Sequence, residues 1–448
     1  MSDSGDARSA FIDSVFWHGS VDRGETILAR HPEVRSSDIH TAAMVGDDQA
    51  VGRFLALDPA QATATGGPRG VDALTHLCFS AYLREDRGRS DAFVRAATAL
   101  LDAGASANTG FWETNHQPSP EWESVLYGAA GVAHHADMTR LLIDRGADPN
   151  DEETPYHTPE TYDNSALKVL VESGRLTADS LTTMLLRKAD WHDLDGITYL
   201  LEHGADPNRM TRWGYSALHQ ALRRDNGLSH IEMMLDHGAD PALATGDGTS
   251  GVSIAVRRGR GDVLRALERR NVYLSSSSGV ERLIAACARD DAAAVRTITE
   301  GEPWLVRQLV EQGGTLLAQF AGTANTAGVG RLLELGVPVD ALYEGDPYFG
   351  IAADSTALHV AAWRAWHETV RVLIGRGAAV NARDGQGRTP LALAVRACVD
   401  TYWRDRRSPD SVEALLRAGA SIEDVPYPSG YAAVDELIRP HRGDGAEQ

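Results

Sequence analysis

The sequence predicts an all-α fold, a solenoid of about a dozen helix–turn–helix units joined by short β-hairpin or loop fingers. Three observations predict it. The phrase Leu200-Leu201-Glu202-His203-Gly204-Ala205-Asp206-Pro207-Asn208 recurs at Leu141–Asn150 and Met234–Pro241, and more worn at Leu100–Asn108, Val372–Asn381 and Leu415–Ile422. A second phrase stands upstream of some copies: Ser216-Ala217-Leu218-His219, Thr356-Ala357-Leu358-His359 and Thr389-Pro390-Leu391. Finally, 448 residues exceed what one compact core holds, because single cores stop growing at roughly 250–300 residues.

Each phrase has a physical reading. Ser216 or Thr356 ahead of a helix supplies an N-cap oxygen for orphaned backbone N–H groups. Paired leucines at helical spacing bury one face against the preceding helix. The glycine that follows is free to take the left-handed conformation that ends a helix. One helix pair cannot bury its own apolar face, so neighbours must stack.

The linked phrases resemble the ankyrin repeat, whose period is roughly 33 residues. The resemblance runs from about Asp38 to Leu437. It implies a stack of helix pairs whose fingers project over a concave groove. It also implies that His219 and His359 bond a neighbouring loop. On this basis 1–37 forms N-terminal cap helices, 38–274 an N-terminal array, 275–440 a C-terminal array with its cap, and 441–448 a disordered tail. Ser275–Ser278 is either a seam between arrays or an ordinary finger loop.

Composition narrows the function. A formal net charge of -20 disfavours nucleic acid and anionic membrane surfaces, which need a basic face. Hydrophobic residues make up 43% and charged residues 24%, a globular balance. No apolar run approaches the roughly 20 residues of a membrane helix. Met1–Ser9 lacks the basic start and apolar centre of a signal peptide. Cys78, Cys287 and Cys398 are odd in number and far apart, which suggests small core residues in a reducing compartment. A cytoplasmic protein with no cofactor and no metal is expected. Oligomeric state stays open at this level.

Departures from the repeat are more telling. Three fingers are long, Thr109–Glu121, Asp151–Asp163 and Ala341–Asp354, and aromatics lie in or beside them, among them Trp112, Trp122, Tyr156, Tyr162 and Tyr348. Long loops in a compact fold are often functional. Prolines at Pro32, Pro59 and Pro303 can each start a short extra helix. Three units lengthen at their first helix, around 82–90, 223–229 and 402–408, where Ser90, Ser229 and Ser408 read as N-caps of the second helix.

Aligned on the repeat, one set of positions is rich in Trp, Tyr, Arg and His. It includes Tyr82, Arg84, Trp191, Arg223, Arg224, Trp363, Arg364, Trp366, His367, Tyr402, Trp403 and Arg404, and Trp213 is counted with them. Equivalent positions line up on one face of a stack. Such residues dominate binding hot spots. The densest stretch is Arg187-Lys188-Ala189-Asp190-Trp191-His192-Asp193, with Asp225 in the next unit. His192 flanked by Asp190 and Asp193, near Lys188 and Asp225, is a candidate general base or part of a metal-ligand set, though no second His stands four residues away as a zincin-like site needs. The alternative is helix capping by Asp190 or Asp193 and a solvated turn. No phosphate-binding loop, nucleophile elbow or kinase signature occurs. The expected function is binding of another protein or peptide through groove and fingers. The alternative is a small-molecule or peptide groove, either binding or catalytic, centred on His192 and Arg223.

Overall fold

The computed structural model describes residues 2–272, 279–401 and 403–442. The chain divides into two compact units, Met1–Asp240 and Pro241–Gln448. Within each unit, helices pack on the helix two places along the chain, as stacked pairs require.

In Met1–Asp240, helices Ser2–Val15 and Val21–Leu28 form the N-terminal cap. First helices then stack in order. Ile39–Met44 packs on Ala73–Cys78, which meets Val125–Tyr127, and Glu153–His157 follows before Ala178–Asp190 and Ala217–Arg223. The second helices Asp48–Leu57, Ser90–Asp102, Ala136–Asp144 and Ser165–Glu172 stack likewise, and Leu194–Glu202 packs on Leu228–Asp236. In Pro241–Gln448, Gly313–Gly322, Ala357–Trp363 and Pro390–Val399 make the corresponding inner row. Thr326–Glu334, His367–Gly375 and Asp410–Arg417 make the outer one. Inner helices are buried nearly throughout, as Ala357–Trp363 is, because other helices cover them on several sides.

The repeated phrases do identifiable work. Ser216 and Thr356 open their helices with capping boxes closed by His219 and His359. His359 also reaches the Ala382 and Arg388 carbonyls at 3.1 Å each, tying its repeat to the next finger. The closing asparagine forms a ladder between repeats. Asn208 donates to the Gly238 carbonyl (2.8 Å) and accepts from the Asp240 N–H (2.7 Å). Asn108 does the same with Gly146 and Asp148, and Asn381 with Gly419 and Ser421. Each asparagine therefore satisfies one donor and one acceptor in the loop beyond it. The turn between paired helices demands positive φ, supplied by Gly46 and Gly259 but elsewhere by His134, His192, Asp225, Ala324 and Ala365.

Several expectations change. The finger expected at Asp151–Asp163 contains a first helix, Glu153–His157. Asp151 caps it by accepting from the Thr154 N–H at 2.8 Å, and Pro155 fixes a helical φ inside the first turn. Finger Thr109–Glu121 opens an antiparallel hairpin, Gly110–Glu113 with Glu121–Ser124. Pro32 and Pro59 begin 3-10 turns, and Pro303 precedes helix Trp304–Glu311. Ser90 is the first residue of its helix rather than the cap, and its Oγ meets His135 Nε2 at 2.6 Å. Ser229 lies inside Leu228–Asp236, capped by Gly227. Only Ser408 accepts from a first-turn N–H, that of Asp410, at 3.3 Å.

The seam expected at Ser275–Ser278 lies outside the described residues. Of the expected tail, 443–448 lies outside them too, while His441 and Arg442 close the turn Arg439–Arg442. All three cysteines are buried and free. Among the described residues no helix is long and apolar enough to cross a membrane.

Candidate functional site

Helix Ala178–Asp190 and the turn after it hold the candidate base and its neighbours. Lys188 is fully buried, and its Nζ donates to the Thr161 carbonyl (2.5 Å) and Asp193 Oδ2 (2.7 Å). Asp193 also accepts from Asn164 Nδ2 (2.9 Å) and caps helix Leu194–Glu202 through the Gly196 N–H (3.0 Å). Burial works to raise the Asp193 carboxyl, but bonds from Lys188, the Gly196 N–H and Asn164 outweigh it and hold its pKa below the ordinary value. Burial holds the Lys188 ammonium below its own usual range despite Asp193. The pair ties the turn to the 161–164 loop.

Asp190 gathers a second set. Arg187 Nη1 donates to its Oδ2 at 2.5 Å, while Gln220 Nε2 (2.6 Å) and Arg224 Nε (2.7 Å) donate to Oδ1. Arg187 also pairs with Glu160 and lies over the Tyr156 ring at 4.1 Å. The structure thus brings Arg187, Asp190 and Arg224 together with Tyr156. His192 stands at the turn with φ +52°, and its carbonyl accepts from His230 Nε2 at 2.9 Å. Trp191 meets Tyr162 edge-on at 5.7 Å. Arg223 is exposed and lies over Tyr215 at 4.3 Å, and Asp225 holds the next positive-φ turn.

The aromatics of the first unit remain partly in solvent. Trp112 is 61% and Trp213 38% exposed. Trp112 pairs directly with Trp122 across the hairpin, rings 5.4 Å apart. Tyr156 and Trp213 meet at 5.6 Å, and Arg212 lies over Trp213 at 4.8 Å while pairing with Glu152. Helix Glu153–His157 packs on hairpin strand Glu121–Ser124, so both ring pairs flank one short helix.

The same strand carries residues the sequence reasoning passed over. The register sets Glu113 opposite Glu121 and Phe111 opposite Glu123. Alternation puts these four on one face of the hairpin. Phe111 is buried against Phe16, Trp17 and Phe79, so that face turns onto the body of the unit. Glu123 is 3% exposed and Glu153 8%. Burial, then the charges of Glu153 and Glu121, push Glu123 up to about 8. His157 lies between Glu153 (3.1 Å) and Glu160 (3.0 Å). Burial disfavours its charge, but both carboxylates outweigh that and push its pKa to about 9. The available signal was the alternation Glu121-Trp122-Glu123 facing Glu113, a strand pattern inside what reads as a loop.

In the second unit the stripe is largely internal. Trp363 and Arg364 are buried, with Trp363 Nε1 donating to the Phe349 carbonyl at 2.6 Å. Arg364 lies 4.0 Å from the Phe349 ring and 4.5 Å from Trp403. Arg406 stacks over Trp366 at 3.9 Å, and Trp366 Nε1 donates to the Gly322 carbonyl at 2.7 Å. His367 spans Ser411 Oγ (2.7 Å) and the Arg406 carbonyl (3.1 Å). Arg404 and Tyr348 are exposed, and Tyr402 lies outside the described residues. A cleft of about 520 Å³ opens between 324–326, 365–371 and 405–410, walled by Trp366, Arg371 and Arg406. Tyr82 and Arg84 fasten the N-terminal cap: Tyr82 Oη donates to Glu25 (2.8 Å), and Arg84 to the Trp17 and Gly19 carbonyls (2.6 and 2.7 Å).

Stacked helix pairs, stitched at Asn108, Asn208 and Asn381 by side-chain ladders, define a helical-repeat protein. Family models for ankyrin repeats match residues 252–425, described as three copies, and 185–234, described as many copies. The chain belongs to the ankyrin-repeat family. No curated protein matches it. Among solved structures, the human ASB11 ankyrin repeat domain is 22% identical over 53% of this chain and 98% of that one, with a TM-score of 0.24. Ankyrin repeats are generally protein-interaction modules.

Proposed function

We propose that this chain docks another protein or peptide, and that the docking surface of Met1–Asp240 is the rim formed by hairpin 110–124, helix Glu153–His157 and loop 209–215. The observation that supports this most is the set of rings Trp112, Trp122, Tyr156 and Trp213, left partly in solvent yet held in place. Each ring has a neighbour that fixes it: Trp122 for Trp112, Arg187 for Tyr156, Arg212 for Trp213. Rings ordered before contact lose little entropy on binding, which is how aromatic hot spots gain affinity. Arg223 over Tyr215 extends the same surface.

The test is affinity capture from the native source with the full chain, compared with a Trp112→Ala/Trp213→Ala variant. The expected result is one or more proteins retained by the wild type and lost, at least tenfold, by the variant. Equal recovery by both proteins would reject this rim as the docking surface.

A further inference from the structure

We propose that Glu121, Glu123 and Glu153 form a recognition pocket for one basic side chain, arginine or lysine, of the docked partner. The inference rests on the docking reading above and names what that rim selects. It begins from a contradiction in the hairpin. A strand face turned onto the body of a protein normally carries apolar residues, and like charges placed directly opposite destabilise a sheet. Here Glu113 and Glu121 are direct partners, and Glu123 follows on the same buried face. Burial, then the charge of Glu153 on the adjoining helix, raises the Glu121 carboxyl above its ordinary value.

The cations already present are committed to other members of the group. His157 pairs with Glu153 and Glu160, His116 with Glu121 at 3.2 Å, and Arg212 with Glu152. Glu123 stands apart. Its Oε2 is buried with no hydrogen-bond partner, although the residue is 3% exposed. A buried polar atom without a partner costs roughly 1–3 kcal/mol, more for charged groups, and is retained where something else compensates. An arginine or lysine from outside would supply both the missing donor and the missing charge. Tyr156 and Trp213, beside Arg212, offer apolar walls for the aliphatic stem of such a side chain.

The pocket's own titration gives the test its signature. The groups facing Glu123 are Glu121, Glu153, Glu113, His157 and the Tyr127 hydroxyl, with Asp151 bonded to the adjacent Ser124. With the site empty, Glu123 keeps its proton to about pH 8. An arriving cation favours the carboxylate, so loading releases a proton and tightens as pH rises toward 8.

The experiment uses the full chain with N-acetyl-argininamide as probe and N-acetyl-citrullinamide, its neutral isostere, as control. Indole N–H resonances of Trp112, Trp122 and Trp213 report binding. The expected result is arginine-probe binding at least tenfold tighter than the control, weakened at least tenfold in Glu121→Gln/Glu153→Gln, and tightening between pH 6 and 8 in the wild type. Glu123→Gln, the substitution least disruptive to folding, should bind weakly and without the pH trend. Equal binding of the two probes, or of arginine probe to wild type and Gln variants, overturns the proposal. Failure of the docking reading is a separate result: it appears as unchanged partner capture by Trp112→Ala/Trp213→Ala.

Discussion

Replacing Glu123 with glutamine should stabilise the hairpin region at high pH and, at low pH, cost it no more than the roughly 1 kcal/mol of an amide without a partner. The folded carboxyl keeps its proton to about pH 8, whereas an ordinary glutamate loses it near 4.5. Between those values the folded state binds more protons than the unfolded one, so stability falls as pH rises. The contribution is fully present below 4.5 and lost as pH passes through 8. At 1.36 kcal/mol per pH unit the span sets an upper bound of about 4–5 kcal/mol. Neighbouring carboxyls share the proton, and the glutamine amide inherits a site without a partner at about 1 kcal/mol, so the expected gain at pH 9 is about 1–3 kcal/mol. His157 adds a slope of the same sign, because its raised pKa gives stability present below 6.5 and lost through about 9. That slope survives in the variant, so the difference between the two proteins isolates Glu123. The assay is amide hydrogen exchange of hairpin 110–124 and helix 153–157 at pH 5, 7 and 9, corrected for intrinsic rates. A wild type whose protection is flat with pH, or a variant with the same slope, would refute the reasoning.

Three other outcomes follow from the packing. Lys188→Met strands the Asp193 carboxylate in a buried site and should cost about 3–5 kcal/mol in urea unfolding, with part recovered in Lys188→Met/Asp193→Asn; a loss under about 1 kcal/mol would show that the pair is not buried as described. Gly259→Ala puts a Cβ 2.3 Å from the Phe320 ring at φ +68° and should lower the stability of the second unit by about 2–4 kcal/mol, read by the same unfolding. Ala324→Gly relieves a residue held at φ +59° and should raise stability by up to about 1 kcal/mol, seen as a higher melting temperature.

The repeat was legible because its phrases encode backbone requirements that recur at several joints. Ser216 and Thr356 were readable as caps, and His219 and His359 as their partners, because capping is a local event within four residues. The helix Glu153–His157 was not legible, since its short Thr-Pro-Tyr core looks like a loop and its stability comes from packing on Ala178–Asp190. The stripe was legible as composition and misleading as exposure. Nothing in the sequence says that Trp363 and Arg364 turn inward while Trp112 and Trp213 stay in solvent, because exposure depends on how neighbouring fingers fold back.

The polar clusters around Asp190 and Glu123 differ in a way that separates support from recognition. At Asp190 and Asp193 every named carboxylate oxygen finds a donor within the unit: Arg187, Arg224 and Gln220 on one, Lys188, Asn164 and the Gly196 N–H on the other. These bonds tie the turn after Ala178–Asp190 to the 161–164 loop and to Gln220 and Arg224 of the next repeat. At Glu123 the account does not close, because acidic side chains outnumber the cations among them and one buried oxygen has no donor. A folded chain tolerates that imbalance by holding a proton there, at a cost that grows as pH rises. The same two facts, an open acceptor and a displaceable proton, are what a partner's arginine or lysine would use. The hairpin 110–124, an insertion between repeats, is therefore where the charge account leaves room for an incoming cation.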